Sequence, residues 1–200
     1  MSAMDAFPAF FPLAGRRVVI VGSGEQAEAK ARLFDGSPAE IVRVEHSLAL
    51  DPQSYRGAAL VFIASDDEAF DRMAAAAARE AGAPVNVVDR PELCDFFTPA
   101  LIDRGEVVVA VGTGGGSPVL AQVLKQAIGA QVPEGAGRLA ALLRQFRGEL
   151  KTAFPDMAER RRFVLDVLDG PAAEAALAGD MERARLLLRE ALGDVPDSCP

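Results

Sequence analysis

The sequence has no tryptophan, one tyrosine and two cysteines, and each scarcity removes a class of function. With so few large polar aromatics there is no stacking platform for single-stranded nucleic acid. Cys94 and Cys199 lack the spacing of a zinc site or a disulfide framework, and the second sits in the stretch DVPDSCP. No apolar run approaches the roughly 20 residues of a bilayer-crossing helix. The first residues, MSAMDAFPAFFPLAGRR, have no basic segment ahead of an apolar one. Positive charge is short as well: 21 Lys and Arg against 29 Asp and Glu leave a net charge of −8. That balance argues against nucleic acid or an anionic membrane as the main partner. The expectation is a cytoplasmic protein with one full domain and a smaller appendage, its 50% hydrophobic content sufficient for a core.

What is present reads as an α/β chain. RVVIVG at 17–22 is a short β-branched run ending in glycine, and residues 25–35 are strong helix formers. Gly36, Ser37 and Pro38 stop that helix, and AEIVRVE supplies a second strand ending at Glu45. AALVFIAS reads as a third strand, followed by the Ala-rich helix DDEAFDRMAAAAAREAG with acidic residues at its start. PVNVV (84–88) and EVVVAV (106–111) are continuous apolar runs of the kind found in a parallel sheet covered on both faces. Beyond Ser117 apolar residues recur at helical spacing, as in Leu139, Leu142, Leu143, Phe146 and Leu150, and in Phe163, Val164, Val167 and Leu168. The predicted architecture is a Rossmann-like parallel sheet domain over 1–111, then a smaller all-helical region over 112–200. Helices like these must dock on the sheet, on each other or on a second subunit.

Three constellations carry chemistry. Gly22-Ser23-Gly24-Glu25-Gln26-Ala27 is a GxGxxA dinucleotide fingerprint: the first Gly makes the turn, the second lets amides approach a pyrophosphate, and Ala27 lets helix pack on strand. Glu45, about twenty residues on, can accept hydrogen bonds from ribose hydroxyls and favours NAD over NADP. A solvated loop carboxylate is the alternative reading of Glu45, and a surface residue that of its neighbour His46, which has no catalytic role here. In Asn86-Val87-Val88-Asp89 an apolar strand delivers Asp89 at its carboxyl end, where a proton acceptor or a guide for a divalent metal belongs. An N-cap or turn aspartate fits that position equally well. Gly112-Thr113-Gly114-Gly115-Gly116-Ser117-Pro118 places a flexible loop before a helix with Ser117 as N-cap and Pro118 at its first position, an anion-attracting end or a hinge.

The segments FPLAGRRVVIVGSGEQAEAKARLF, FIASDDEAF, NVVDRPELCDFFTPALIDRGEVVVAVGTGGGSPVLAQVLK and AERRRFVLDVL span most of residues 10–168. Together they resemble the precorrin-2 dehydrogenase and sirohydrochlorin ferrochelatase module of siroheme synthase. The resemblance implies NAD-dependent oxidation of precorrin-2 to sirohydrochlorin, then insertion of ferrous iron, as substrate, to give siroheme. It also implies a homodimer built through the C-terminal helices. Asp89 matches the aspartate credited with both steps, as proton acceptor and in chelation, and no other metal ligand is implied. Glu25 and Gln26 match positions beside the pyrophosphate, Glu45, His46 and Ser47 the ribose-side loop, and Ser65 and Asp66 of the FIASDDEAF segment join the cofactor side. An acidic chain must meet a polycarboxylate tetrapyrrole with local donors. Ser117 at its helix start, Arg90, Arg104 and Lys125 are the candidates, with Asn86, Thr113, Gly114 and Gly115 completing the substrate side.

Two departures stand out. Thr113 occupies a position usually held by serine, and the chain between Glu45 and Leu60 is shorter than in the family, as if a strand and part of a crossover were missing. The chain stops at residue 200, before the methyltransferase module of fused siroheme synthases, so a stand-alone module is expected. A dehydrogenase without chelatase activity is the enzymatic alternative. The non-enzymatic one is an NAD-sensing regulatory module, which carries a helix-turn-helix or a membrane partner domain in other proteins; neither is visible in this sequence.

Overall fold

The computed structural model describes residues 6–193; Cys199 lies outside them. The chain divides into two compact units, residues 1–99 with 112–118, and residues 100–111 with 119–200.

In the first unit, β1 (Arg17–Val21), α1 (Glu25–Arg32), β2 (Glu40–Val44), β3 (Ala58–Ile63), α2 (Glu68–Glu80) and β4 (Val85–Val87) follow one another. The strands form a parallel sheet in the order β2-β1-β3-β4. Both faces are covered, as the continuous apolar runs require. Val18, Ile20, Leu60 and Phe62 pack with Ala27 of α1, while Val19, Val21, Val61 and Ile63 pack with Ala74, Ala75 and Ala78 of α2. Each of these Val, Leu and Ile side chains contributes about 1.5–3 kcal/mol when fully buried.

The short segment after β2 is made of two 3₁₀ turns, His46–Leu50 and Pro52–Tyr55. They make the connection from β2 to β3, and Tyr55, wholly buried, donates its hydroxyl to the Ala49 carbonyl at 2.6 Å, tying one turn to the other. Burial pushes the Tyr55 phenol up to about 12. Register then sets the site. Val21 lies beside Val44 on one side and Ile63 on the other, and Ile63 lies beside Val87. Gly22, Glu45, Ala64 and Val88 therefore leave the sheet side by side, at its carboxyl edge.

The second unit corrects the sequence reading. EVVVAV is not a further strand of the parallel sheet. Its Val107–Val111 portion, β6, pairs antiparallel with β5 (Ala100–Arg104), in a separate two-stranded hairpin. Gly105, at a φ of 77°, is the first residue of the two-residue loop, and Asp103 Oδ1 accepts its amide at 2.8 Å. The boundary expected at 111 falls elsewhere for the same reason. The hairpin is held within the second unit, where a Cβ on Gly137 would overlap the Arg104 carbonyl oxygen and Arg144 Nε donates to both Glu106 oxygens at 2.9–3.0 Å.

Helices α3 (Pro118–Gly129), α4 (Ala136–Gln145), α5 (Arg147–Ala153), α6 (Met157–Leu168), α7 (Pro171–Ala178) and α8 (Met181–Gly193) complete this unit. Their apolar faces meet one another: Leu142, Phe146, Leu150, Val167, Ala176, Ala184 and Leu188 form a common core. Asp156 caps α6 by accepting from the amides of Ala158 and Glu159, and Arg138 donates to the carbonyls of Ala176 and Leu177 at the end of α7. Among the described residues no helix is long and apolar enough to cross a membrane.

Candidate active site

Strand order reverses between β1 and β3, since the chain goes from β1 outward to β2 and then returns to the other side of β1. Ligands of open α/β sheets bind outside the carboxyl ends of the strands at such a point. A cleft of about 250 Å³ opens there, lined by Gly22, Ser23, Glu45, His46, Ser65, Asp66, Asp67 and Phe70. The structure thus brings together six of the residues expected on the cofactor side. Gly24, Glu25 and Gln26 form the turn and start of α1, and Ser47 lies in the first 3₁₀ turn; none of the four lines the cleft. Asp67 and Phe70 were not anticipated. Asp67 Oδ1 caps α2, accepting from Ala69 and Phe70 amides at 2.9 and 3.1 Å.

The geometry of the turn suits a dinucleotide. Gly22 has a φ of 102°, and a Cβ there would overlap the Ala64 carbonyl oxygen and stand 2.8 Å from its carbon. The β1 and β3 ends approach this closely only with glycine. Gly24 caps α1 with φ 85° and ψ −174°, and offers no side-chain acceptor to the first-turn amides, which lack intrahelical partners. Those amides, with the helix dipole, face whatever anion the turn receives. Glu45 is half exposed, and no lysine or arginine lines the cleft. Arg43, two residues before Glu45, is paired with Glu28 at 2.8 Å. The donor and acceptor set favours ribose hydroxyls over a ribose phosphate.

Asp89 follows β4 with a φ of 59°. It is one of two non-glycine residues at positive φ among those described, the other being His46 in the cleft. Aspartate tolerates this region better than most residues, and such strain concentrates at functional sites. Asp89 is exposed, and its Oδ2 accepts from Gln26 Nε2 at 3.2 Å. One turn along α1, Lys30 donates to Thr98 Oγ1 at 3.3 Å and stands 5.6 Å from the centroid of the Phe62 ring. Burial lowers the Lys30 pKa, opposed by the charges of Cys94 and Asp89. The sequence reading missed Lys30, although its i+4 spacing from Gln26 places both on one helical face.

Two expected substrate donors are otherwise engaged. Arg90 Nε binds Asp71 Oδ2 at 2.9 Å, and Asp71, 0% exposed, also accepts from Ser65 Oγ at 2.6 Å. A carboxylate buried at this depth needs its cation, and Arg90 supplies it through Nε. Asn86 is buried, and its amide nitrogen donates to the Phe96 carbonyl at 2.9 Å. Its oxygen accepts from Thr98 Oγ1 at 3.5 Å, which leaves the side chain holding the 94–98 loop. Cys94, a free thiol, is pushed up in pKa by burial.

The glycine loop closes on itself. Thr113 Oγ1 accepts from the Ser117 amide at 3.2 Å and donates to the Ser117 carbonyl at 3.1 Å, and Gly114 and Gly115 both have positive φ. Arg104 and Lys125 belong to the second unit, where both line a cleft of about 530 Å³ between the hairpin and α3; Arg104 is paired there with Glu134 at 2.8 Å. Among the described residues no group of three or more His, Cys, Asp or Glu could hold a metal ion.

Comparison with known proteins finds two family models along the chain. Residues 9–100 match a family model described as putative NAD(P)-binding, and residues 135–192 one described as the sirohaem synthase dimerisation region. A siroheme synthase of Azotobacter vinelandii is 41% identical over 96% of this chain and 46% of its own length. One of Nitrosomonas eutropha is 38% identical over 98% of this chain and 45% of its own length. The chain therefore spans about half the length of the curated relatives it matches. A solved structure named SirC, precorrin-2 dehydrogenase, shares the fold with a TM-score of 0.72 at 17% identity, over 93% of this chain and 98% of that one. The chain thus carries a region that matches the NAD(P)-binding model ahead of one that matches the sirohaem synthase dimerisation region, and along nearly its whole length it is similar to part of siroheme synthases.

Proposed function

We propose that the protein oxidises precorrin-2 to sirohydrochlorin with NAD, and that it then inserts ferrous iron, as substrate, to give siroheme. The observation that carries this reading is 41% identity to a protein named siroheme synthase across nearly the whole chain. The geometry supports a division of labour. Oxidation removes a hydride, which NAD accepts, and a proton, for which Asp89 at the end of β4 is the acceptor. The Gly22-Ser23-Gly24 turn and the amides of α1 hold the pyrophosphate, and Glu45 takes hydrogen bonds from ribose hydroxyls. Ser65 and Asp66 wall the same cleft, with the Ser65 hydroxyl fixed by Asp71. Iron insertion releases two pyrrole protons, and Asp89 is again the acceptor. Arg104, Lys125, Ser117 and the Thr113–Gly115 loop remain candidates for the tetrapyrrole carboxylates, and the helical unit is the proposed homodimer contact.

The test is anaerobic. Precorrin-2 and NAD are added to the pure protein and sirohydrochlorin absorbance is followed, after which ferrous ion is added. Asp89→Ala is expected to abolish oxidation while leaving NAD affinity intact; normal oxidation by that variant refutes the assignment. Oxidation without iron insertion by the wild type identifies a dehydrogenase that lacks chelatase activity.

A further inference from the structure

The chain carries fewer cations than anions, and several cations of the first unit are already paired. Arg90 is held by Asp71, Arg72 by Glu68 and Arg79 by Asp95. Lys30 differs. It is half-buried, and among the described residues it makes no ion pair within 4 Å. Its contacts are a long hydrogen bond to the Thr98 hydroxyl and the edge of reach of the Phe62 ring. Neither compensates an ammonium group for lost water as a carboxylate would. Methionine at this position would fill the same space on α1 without a desolvation cost. A partly desolvated cation in no direct ion pair, grouped with Gln26 and the more distant Asp89 charge, has the character of an anion receptor.

Resting on the function proposed above, we infer that Lys30 binds a peripheral carboxylate of the tetrapyrrole and so presents the macrocycle to Asp89. The α1 face supplies two donors one turn apart. Gln26 holds the Asp89 carboxylate at 3.2 Å, and Lys30 holds the substrate beside it. The depressed Lys30 pKa fits this role, since an incoming carboxylate restores the charge-stabilising partner that burial removed.

The assignment is tested with the full chain and two variants, Lys30→Met, which keeps the volume and removes the charge, and Lys30→Arg, which keeps the charge. Binding of sirohydrochlorin without NAD is measured by titration, and precorrin-2 oxidation by anaerobic steady-state kinetics, with thermal melting and NAD affinity as controls. Lys30→Met is expected to raise the sirohydrochlorin Kd and the precorrin-2 KM about tenfold or more, with NAD affinity unchanged and the melting temperature unchanged or raised. Lys30→Arg is expected to recover both within about threefold. Wild-type Kd and KM in Lys30→Met overturn the assignment, as does a lowered melting temperature with unchanged affinity for the tetrapyrrole. A wild type that neither binds sirohydrochlorin nor oxidises precorrin-2 overturns the functional reading itself, and this assignment with it.

Discussion

Replacing Gly22 and Gly24 separately by alanine distinguishes two reasons for glycine in one turn. Both positions have φ values that L-residues rarely adopt, 102° and 85°. That conformation alone costs a side chain about 1–3 kcal/mol. Around Gly24 a Cβ meets nothing within 4 Å, so the conformational cost is the whole cost. At Gly22 the same Cβ overlaps the carbonyl of Ala64, a backbone group fixed in line with β3. Forced overpacking adds about 1–3 kcal/mol, for a total of about 2–6 kcal/mol. Against a typical domain stability of about 5–15 kcal/mol, this is a large share. Urea unfolding followed by far-UV circular dichroism measures both variants, and Gly22→Ala is expected to lose about 1–3 kcal/mol more than Gly24→Ala. Equal midpoints for the two variants, at equal slopes, refute the overlap argument.

Other perturbations follow from the same geometry. Arg90→Ala leaves the buried Asp71 carboxylate without its cation and is expected to lower the urea unfolding midpoint; the double variant with Asp71→Ala should lose less than the two single losses combined, and strict additivity would count against the buried pair. Because folding raises the Tyr55 phenol pKa, its contribution is present in full below the unfolded value near 10 and lost as pH rises through about 12. Wild type should therefore lose stability relative to Tyr55→Phe between pH 10 and 12, and parallel stability curves for the two proteins would contradict this. Glu45→Ala is expected to weaken NAD by about 1–2 kcal/mol, or roughly 5- to 30-fold in Kd by calorimetry; an unaltered Kd removes Glu45 from the ribose contact.

Local sequence made the parallel sheet legible because its signals are short-range. Apolar runs ended at turn residues, and the acidic residues of DDEAF and Pro118 marked helix starts. The hairpin was less visible. Val107, Val108 and Val109 look like a strand buried on both faces, yet each is only partly buried and pairs with the mixed segment ALIDR. Its signal was the Gly105-Glu106 pair between two apolar runs, a hairpin turn in miniature. Placement of the cleft followed from strand ends, which pattern reveals. The partners of Asn86, Arg90 and Lys30 did not, because a side chain's engagement depends on residues 10 to 68 positions away. Arg90 and Lys30 look alike in sequence. One meets a buried carboxylate and the other does not, and that difference exists only in three dimensions.

The placement of the β5–β6 hairpin has a consequence for how the chain can be divided. Each unit is assembled from two separate stretches, so the polypeptide passes from one unit to the other at residues 99–100, 111–112 and 118–119. No single cut separates them. A break at 111, where composition changes, strips the hairpin from the helix that backs it at Gly137, and a break at 118 does the same while sparing the glycine loop. Only a break at 99 leaves the hairpin with its helices, and it takes Gly112–Pro118 away from the sheet. Two such units are inherited together: shuffling or fusing genes at an internal point damages one or the other.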